Sequence, residues 1–468
     1  MMSTEIAKVV PDRSVAIKWL ISLGAGVLIG CLPMGTAISR ELQIFFAISI
    51  SFILIVAFDL MPTLLISMVL PCAYMLVGIA DAPTALQPWT NTLMYLVTAG
   101  MIFANVMTDC GLMKRIALWF LRKCGSSFNV LVFGLYFACL FMACISFVQA
   151  WLLMLTLAIA LCKAMGYGPY EKPTSVLLMA AFCGSLSTTV YTYNPAYVPV
   201  LDAAVKSVDP SASYMWYETY LYMAPYILVC LIFLFILTRI YRTREYDIAG
   251  GKEYFDEEYR KLGKVTLTEK KAAFSLLFLL LFILTSSWHG LDPLFGFTAA
   301  VVYLFFPGID VGKKEAVSKI NMGTIAFMVA CCSIGTVGSS LGFDRLVTDL
   351  LASLLQNAGD YAVTYTIFVL GIVGKLVMTP LALLNCLAAP LAQLGAELGM
   401  NPLGPVNALQ LSTDMYIMPY QNAWTMAFFA MGMFRFKDFI KLNLLRCLLL
   451  LAAVGILFIP WWNLLGVL

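Results

Sequence analysis

Charge is what this sequence has least of. Asp, Glu, Lys and Arg together make up 12% of its 468 residues, whereas hydrophobic residues make up 62% and the mean hydropathy is +0.90. Soluble domains carry about 25% charged residues, so a water-facing globule is excluded. Histidine occurs once, as His289, and the thirteen cysteines are scattered through apolar runs with no CxxC and no Cys/His cluster. That removes zinc centres and thiol redox motifs, and the cysteines read as small core residues. With no HExxH and no GxSxG set in an elbow either, there is little from which to build an intramembrane enzyme. No cleavable leader is expected either. The first apolar run follows Lys8, Arg13 and Lys18, is long enough to span, and has no small-residue cleavage site before Pro33.

What the sequence does have is one apolar run after another. Stretches of roughly 18 or more apolar residues read as membrane spans, and they predict an all-α polytopic membrane protein. Spans are expected at 15–34, 42–58, 60–80 and 92–110, followed by an amphipathic arm, Gly111 to Lys123. Residues 128–165 form an apolar pair interrupted from Ser146 to Gln149, and 173–200 a span broken at Tyr193-Asn194-Pro195. After a span at 219–238 comes the one long hydrophilic segment, 239–271, then spans at 272–288, 292–308 and 321–341. A second arm from Gly342, a pair at 361–398 interrupted at Thr379-Pro380, a span at 403–433 broken at Pro419-Tyr420-Gln421-Asn422 and a last span at 438–460 complete the chain.

The order of arm, broken pair and broken span therefore occurs twice. Gly-Leu-Met-Lys-Arg-Ile from Gly111 aligns with Gly-Phe-Asp-Arg-Leu-Val from Gly342 at an offset of 231, and Asn194 with Asn422 at an offset of 228. Unwound backbone at membrane depth survives only when buried in protein or lining a cavity, and broken segments at matching positions of two halves point to a carrier's binding site. Charge sets the orientation of the copies. Lys114, Arg115, Arg122 and Lys123 mark the first arm, whereas the second has Arg345 against Asp344 and Asp349. Asp202, Lys206, Asp209 and Glu218 follow the first broken span, while Arg435, Lys437, Asp438, Lys441 and Arg446 follow the second. Basic residues mark the cytoplasmic side, so the repeats are expected to be inverted. The segment 239–271, with nine Lys/Arg against seven acids, and Lys313, Lys314 and Lys319 then fall inside. The result is about eleven transmembrane helices, two re-entrant hairpins, a cytoplasmic N-terminus and an external C-terminus.

Several motifs carry a family likeness. Gly-Leu-Met-Lys-Arg-Ile-Ala-Leu at 111–118, Phe58-Asp59-Leu-Met-Pro62 opening a span, Thr268-Glu-Lys270 and Trp288-His-Gly-Leu-Asp-Pro293 resemble the divalent anion/sodium symporter family, over nearly the whole chain. The resemblance implies a homodimeric elevator-type carrier of the cytoplasmic membrane, in which a transport domain slides against a scaffold and moves a small anion with sodium. On that plan 1–91 are scaffold helices, 92–218 the first repeat, 219–320 further scaffold, 321–433 the second repeat and 434–468 the last helix. The expected partners are the bilayer, a second copy of the chain and the anion, with no nucleic acid; no cofactor is expected beyond Na+ as coupling ion. The chain departs from the family where the family's hairpin tips read Ser-Asn-Thr. Here they read Ser146-Phe147-Val148-Gln149 and Thr379-Pro380-Leu381. A divergent member with reduced or altered sodium coupling is the implication. An exchanger or a channel-like facilitator stays as the alternative.

The site residues follow from the breaks. Ser146, Gln149, Thr192 and Asn194 serve one half, and Thr379, Asn385, Gln421 and Asn422 the other; Ser146, Gln149, Asn194, Thr379 and Asn422 are the candidate sodium ligands. The competing reading is a set of interhelical hydrogen bonds, each worth about 1 kcal/mol. Lys375 lies one helical turn before Thr379. A lysine at mid-membrane costs at least about 2.5 kcal/mol and marks an ion or substrate path, so its ammonium either replaces a bound sodium or meets the anion. Asp414 is its expected counter-charge; a plain Lys375–Asp414 ion pair, or a snorkelling lysine, is the bland version. Smaller expectations attach to Asp59 as a structural helix start, to Trp151 and Trp424 as pocket walls or packing, and to His289 as an unremarkable residue at an outer helix end.

Overall fold

The computed structural model describes residues 13–33, 38–58, 60–90, 92–123, 127–146, 150–212, 214–246, 251–320, 322–375, 379–418, 421, 425, 433 and 435–468. Its described residues are helical with no strand. Two compact units result, one of residues 1–89 and 322–346, the other of 90–321 and 347–468.

The first unit contains α1 (Arg13–Cys31), α2 (Arg40–Ala57), α3 (Thr63–Val77) and the short α4 (Ala82–Leu86). Ser39 opens α2 by accepting the Leu42 N–H at 3.1 Å. Gln43, one turn in, donates to the Ile29 and Leu32 carbonyls at 2.7 and 2.6 Å. Those carbonyls belong to the end of α1, where the last turn has no backbone donor of its own. The Tyr74 hydroxyl on α3 meets Ser49 at 2.7 Å, so the three helices are tied by polar contacts inside an apolar bundle.

The second unit begins with α5 (Thr92–Asp109), α6 (Leu112–Leu121), α7 (Phe128–Ser146), α8 (Ala150–Ala164), α9 (Lys172–Val190) and α10 (Val198–Lys206). Then come α11 (Glu218–Tyr222), α12 (Pro225–Ile240), α13 (Gly251–Lys261), α14 (Leu267–Leu284), α15 (Ser286–His289), α16 (Pro293–Phe305) and α17 (Lys314–Ser318). Helix α18 (Met322–Ser340) returns to the first unit and hydrogen-bonds there through Ser333, which donates to the Ala85 carbonyl at 2.9 Å. The chain continues through α19 (Phe343–Leu355), α20 (Asp360–Lys375), α21 (Pro380–Glu397), α22 (Leu403–Ser412), α23 (Phe436–Ala453) and α24 (Ile459–Leu464).

Each element starts and stops for a local reason. Gly111 and Gly342, the residues before the two arm helices α6 and α19, both have φ of +82°, a conformation in which a Cβ is strained. Thr379 caps α21, with Pro380 in the first turn where its missing N–H costs nothing. Helices α7 and α9 approach closely because residue 184 is glycine: a Cβ there would stand 2.7 Å from the Tyr136 carbonyl oxygen.

The stretch Phe436–Leu464 is long and apolar enough to cross a bilayer, and it is interrupted once, by a π turn at Val454–Phe458. The interruption has a cause. The Tyr365 hydroxyl from α20 accepts the Gly455 N–H at 2.9 Å and donates to the Leu451 carbonyl at 3.1 Å, so it is inserted between two groups that would otherwise bond each other.

Arm and hydrophilic segment are joined by one side chain. Arg115 on α6 donates to both oxygens of Glu269, at 2.7 and 3.1 Å, and to the carbonyls of Gly263 and Leu262 at 2.9 and 3.0 Å, just past the end of α13. Glu269 simultaneously closes the capping box of α14, accepting the Thr266 N–H at 2.7 Å. Two motifs that the sequence holds far apart, the arm and Thr268-Glu-Lys270, therefore share a buried ion pair. Burial works against the Glu269 carboxylate, but Arg115 and the Thr266 N–H outweigh it and hold its pKa below the usual 4.5.

Candidate functional site

The first break separates α9 from α10. Asn194 builds it: its carbonyl accepts the N–H groups of Tyr197 and Val198 at 3.0 Å each, and its side-chain oxygen accepts the Ala196 N–H at 2.9 Å. This is a side chain standing in for a missing helical turn. Thr192, two residues earlier, is buried with its hydroxyl unpartnered.

The second break follows α22 and is organised by Gln421. Its side-chain oxygen accepts the N–H groups of Ile417 and Met418 at 2.6 and 2.7 Å, and its nitrogen donates to the Lys375 carbonyl at 3.1 Å. One amide thus satisfies the unwound strand and the open end of α20 together, which membrane burial requires of irregular backbone.

The two breaks are also joined. Gln410 on α22 donates to the carbonyl of Val190, the last residue of α9, at 3.2 Å. The Tyr214 hydroxyl lies 2.7 Å from the Gln410 amide and 2.8 Å from that of Asn407, while the Tyr214 N–H bonds Asp202 of α10 at 2.8 Å. Nothing in the local sequence around Tyr214 signals this role, since the residue sits between helices.

Between the second break and α23 lie three fully buried charges: Lys375, Asp414 and Arg446, exposed by 0%, 0% and 2%. The expected Lys375–Asp414 ion pair is not what forms. Asp414 pairs with Arg446, whose Nη1 donates to the carboxylate and whose Nη2 donates to the Asp414 carbonyl at 2.6 Å. A planar fork meets a carboxylate and a neighbouring carbonyl with two nitrogens fixed in one plane. Lys375 instead places its Nζ 3.7 Å from the centre of the Tyr416 ring, with no hydrogen-bond partner. Full burial also removes the snorkelling alternative. In the same cluster Arg446 Nε has no hydrogen-bond partner, and the Tyr226 hydroxyl lies against the Asp414 carboxylate.

The remaining expected residues do local work. Asn385 donates to the Leu381 carbonyl within α21 at 2.8 Å, and Thr379 caps that helix, accepting the Ala382 N–H at 3.4 Å. Both ring nitrogens of His289 are engaged by nearby backbone, at 2.9 and 3.0 Å. Asp59, Gln149, Asn422 and Trp424 lie outside the described residues, as do the side chains of Ser146, at the end of α7, and of Trp151. Among the described residues no group of three or more His, Cys, Asp or Glu is placed to hold a metal ion.

Residues 50–411 match the family model CitMHS, described as citrate transporter. A membrane protein of Cupriavidus necator (strain H16) is 26% identical over 275 residues, 54% of this chain and 50% of that protein. The chain thus aligns over about half the length of that curated relative. The crystal structure of the Alcanivorax borkumensis YdaH transporter, described as having an unusual topology, superposes with a TM-score of 0.57 at 14% identity, covering 82% of this chain and 90% of that one. At that identity the likeness is one of fold. The family and the fold relative are transporters rather than enzymes.

Proposed function

The chain belongs to the citrate transporter family, a divalent anion/sodium symporter-like group, and from that premise we propose a secondary carrier that moves a small organic anion across the cytoplasmic membrane. Citrate is the first substrate to test. The observation that carries the reading is the charge balance of the buried cluster: two cations, Lys375 and Arg446, face one carboxylate, Asp414. An uncompensated cation in a medium without water is expensive. An anion entering from solution supplies the missing charge.

The broken helices, the resemblance to sodium symporters and the tie between the two breaks support an elevator motion in a homodimer, with a cytoplasmic N-terminus and an external C-terminus. Ser146, Gln149, Asn194, Thr379 and Asn422 are the proposed sodium ligands, and Lys375 the fixed cation that replaces one coupling ion or meets the substrate. A specific observation favours exchange as the second reading. A lysine cannot leave as sodium can, so the empty carrier keeps its excess positive charge, and crossing without a counter-anion costs more.

Uptake of labelled citrate into proteoliposomes tests this. Saturable uptake is expected, accelerated by citrate trapped inside if exchange operates, and Lys375→Ala is expected to reduce it and change its sodium dependence. Non-saturating flux would make the protein a channel. An unchanged rate with unchanged sodium dependence in Lys375→Ala would remove the lysine from the mechanism.

A further inference from the structure

We infer that Lys375 and Arg446 together form a seat for a single carboxylate group, with Asp414 as the fixed partner that aims the guanidinium. The inference rests on the anion-carrier reading and adds to it a residue of the last helix and a class of recognised group. Three elements converge on the seat: the end of α20 supplies Lys375, the unwound chain after α22 supplies Asp414 and Tyr416, and α23 supplies Arg446.

The free valences define the ligand. Two of the three guanidinium nitrogens are held by Asp414, one on its carboxylate and one on its backbone carbonyl at 2.6 Å, so the guanidinium cannot rotate and its Nε edge is left open. The Lys375 ammonium rests on the Tyr416 ring, 3.7 Å from its centre. A ring face attracts a cation but takes no hydrogen bond in the geometry of an oxygen acceptor, so the ammonium still has donors to give. The Tyr226 hydroxyl is buried against the Asp414 carboxylate and gives its proton there, so it helps to hold Asp414 and is not one of the donors open to the ligand. Unsatisfied donors on two buried cations call for an oxyanion.

Charge then selects among oxyanions. With one excess positive charge, a carboxylate brings the cluster to neutrality, whereas a divalent sulfate overshoots and leaves a buried negative charge. Other carboxylates of a polyacid must be neutralised elsewhere. Asp414 is not displaced in this scheme, because removing it would leave the guanidinium buried without its partner.

The test is binding of citrate, acetate and sulfate to the purified full-length protein in lipid nanodiscs, by calorimetry. Arg446→Gln alone would strand Asp414 and threatens folding, so the variants are Lys375→Gln and the double variant Asp414→Asn/Arg446→Gln, which keeps an amide pair in place of the ions. Wild type is expected to bind citrate at least tenfold more tightly than sulfate, and each variant to lose at least tenfold in citrate affinity with its unfolding transition retained. Acetate, offering one carboxylate, is expected to compete with citrate. Citrate binding within twofold of wild type in either folded variant, or sulfate binding equal to citrate in wild type, overturns the seat. Should wild type bind none of the three, the carrier reading itself fails and the seat falls with it.

Discussion

Arg115 holds both oxygens of Glu269 in its planar fork, at 2.7 and 3.1 Å, although the two residues are 154 positions apart. The pair is nearly buried and each partner has further duties, on the carbonyls after α13 and on the first turn of α14.

Removing one partner strands the other. Arg115→Ala is expected to cost about 3 kcal/mol, the usual penalty for breaking a buried pair, and Arg115→Lys most of that, because an ammonium cannot reach two carboxylate oxygens and two carbonyls together. The same pair sets an acid limit. A carboxylate whose pKa is depressed in the folded state contributes stability above its ordinary value, here 4.5, and loses it as pH falls through the lower folded value. The unfolding temperature in detergent should therefore drop on acidification below about pH 4.5, and less so in Glu269→Gln.

Lys375 should show the opposite sign. Its ammonium is fully buried on the face of the Tyr416 ring, and the nearby Asp414 carboxylate is already paired with Arg446. Replacing it by Met removes a costly charge at nearly constant volume, so Lys375→Met is expected to raise the unfolding temperature by about 2 °C or more while abolishing citrate uptake. A gain in stability with loss of function marks a residue kept for its task rather than for the fold. A variant that is less stable than wild type would contradict this.

Gln421 serves the fold of the site directly. Gln421→Leu leaves the Ile417 and Met418 N–H groups and the Lys375 carbonyl without their partner. Each buried group left unpaired costs about 1–3 kcal/mol. Thermal unfolding should register a loss of several kcal/mol, and uptake should fall with it. Gln421→Glu keeps the acceptor and is expected to recover part of the stability.

Much of the helix layout was legible in the sequence, because run length and breakers are local signals. The turn at Tyr193-Asn194-Pro195 and the start of α21 at Thr379-Pro380 are read from residues that break or open a helix. Partners were not legible in the same way. Lys375 stands out as a charge in an apolar run, and Asp414, just before Pro419 in the partner broken span, is its expected counter-charge, but the carboxylate lies with Arg446. That arginine was counted among the basic residues that follow the second broken span, and so read as a topology marker. Its setting held the missed signal: Asn443-Leu-Leu-Arg446-Cys-Leu-Leu carries a lone arginine a full turn or more inside an apolar helix, the same kind of anomaly as Lys375. Tyr214 offered no such sign, since a tyrosine between helices is ordinary until the fold brings Asn407 and Gln410 to it.

The amide of Gln410 resting on the carbonyl of Val190 has a wider consequence. A seam opened between those two points would leave a bare carbonyl and a bare amide in hydrocarbon-like surroundings, and Tyr214 would lose its hold on both sides. For the proposed carrier, moving both kinked segments together as a single block is therefore less costly than letting them swing apart like jaws.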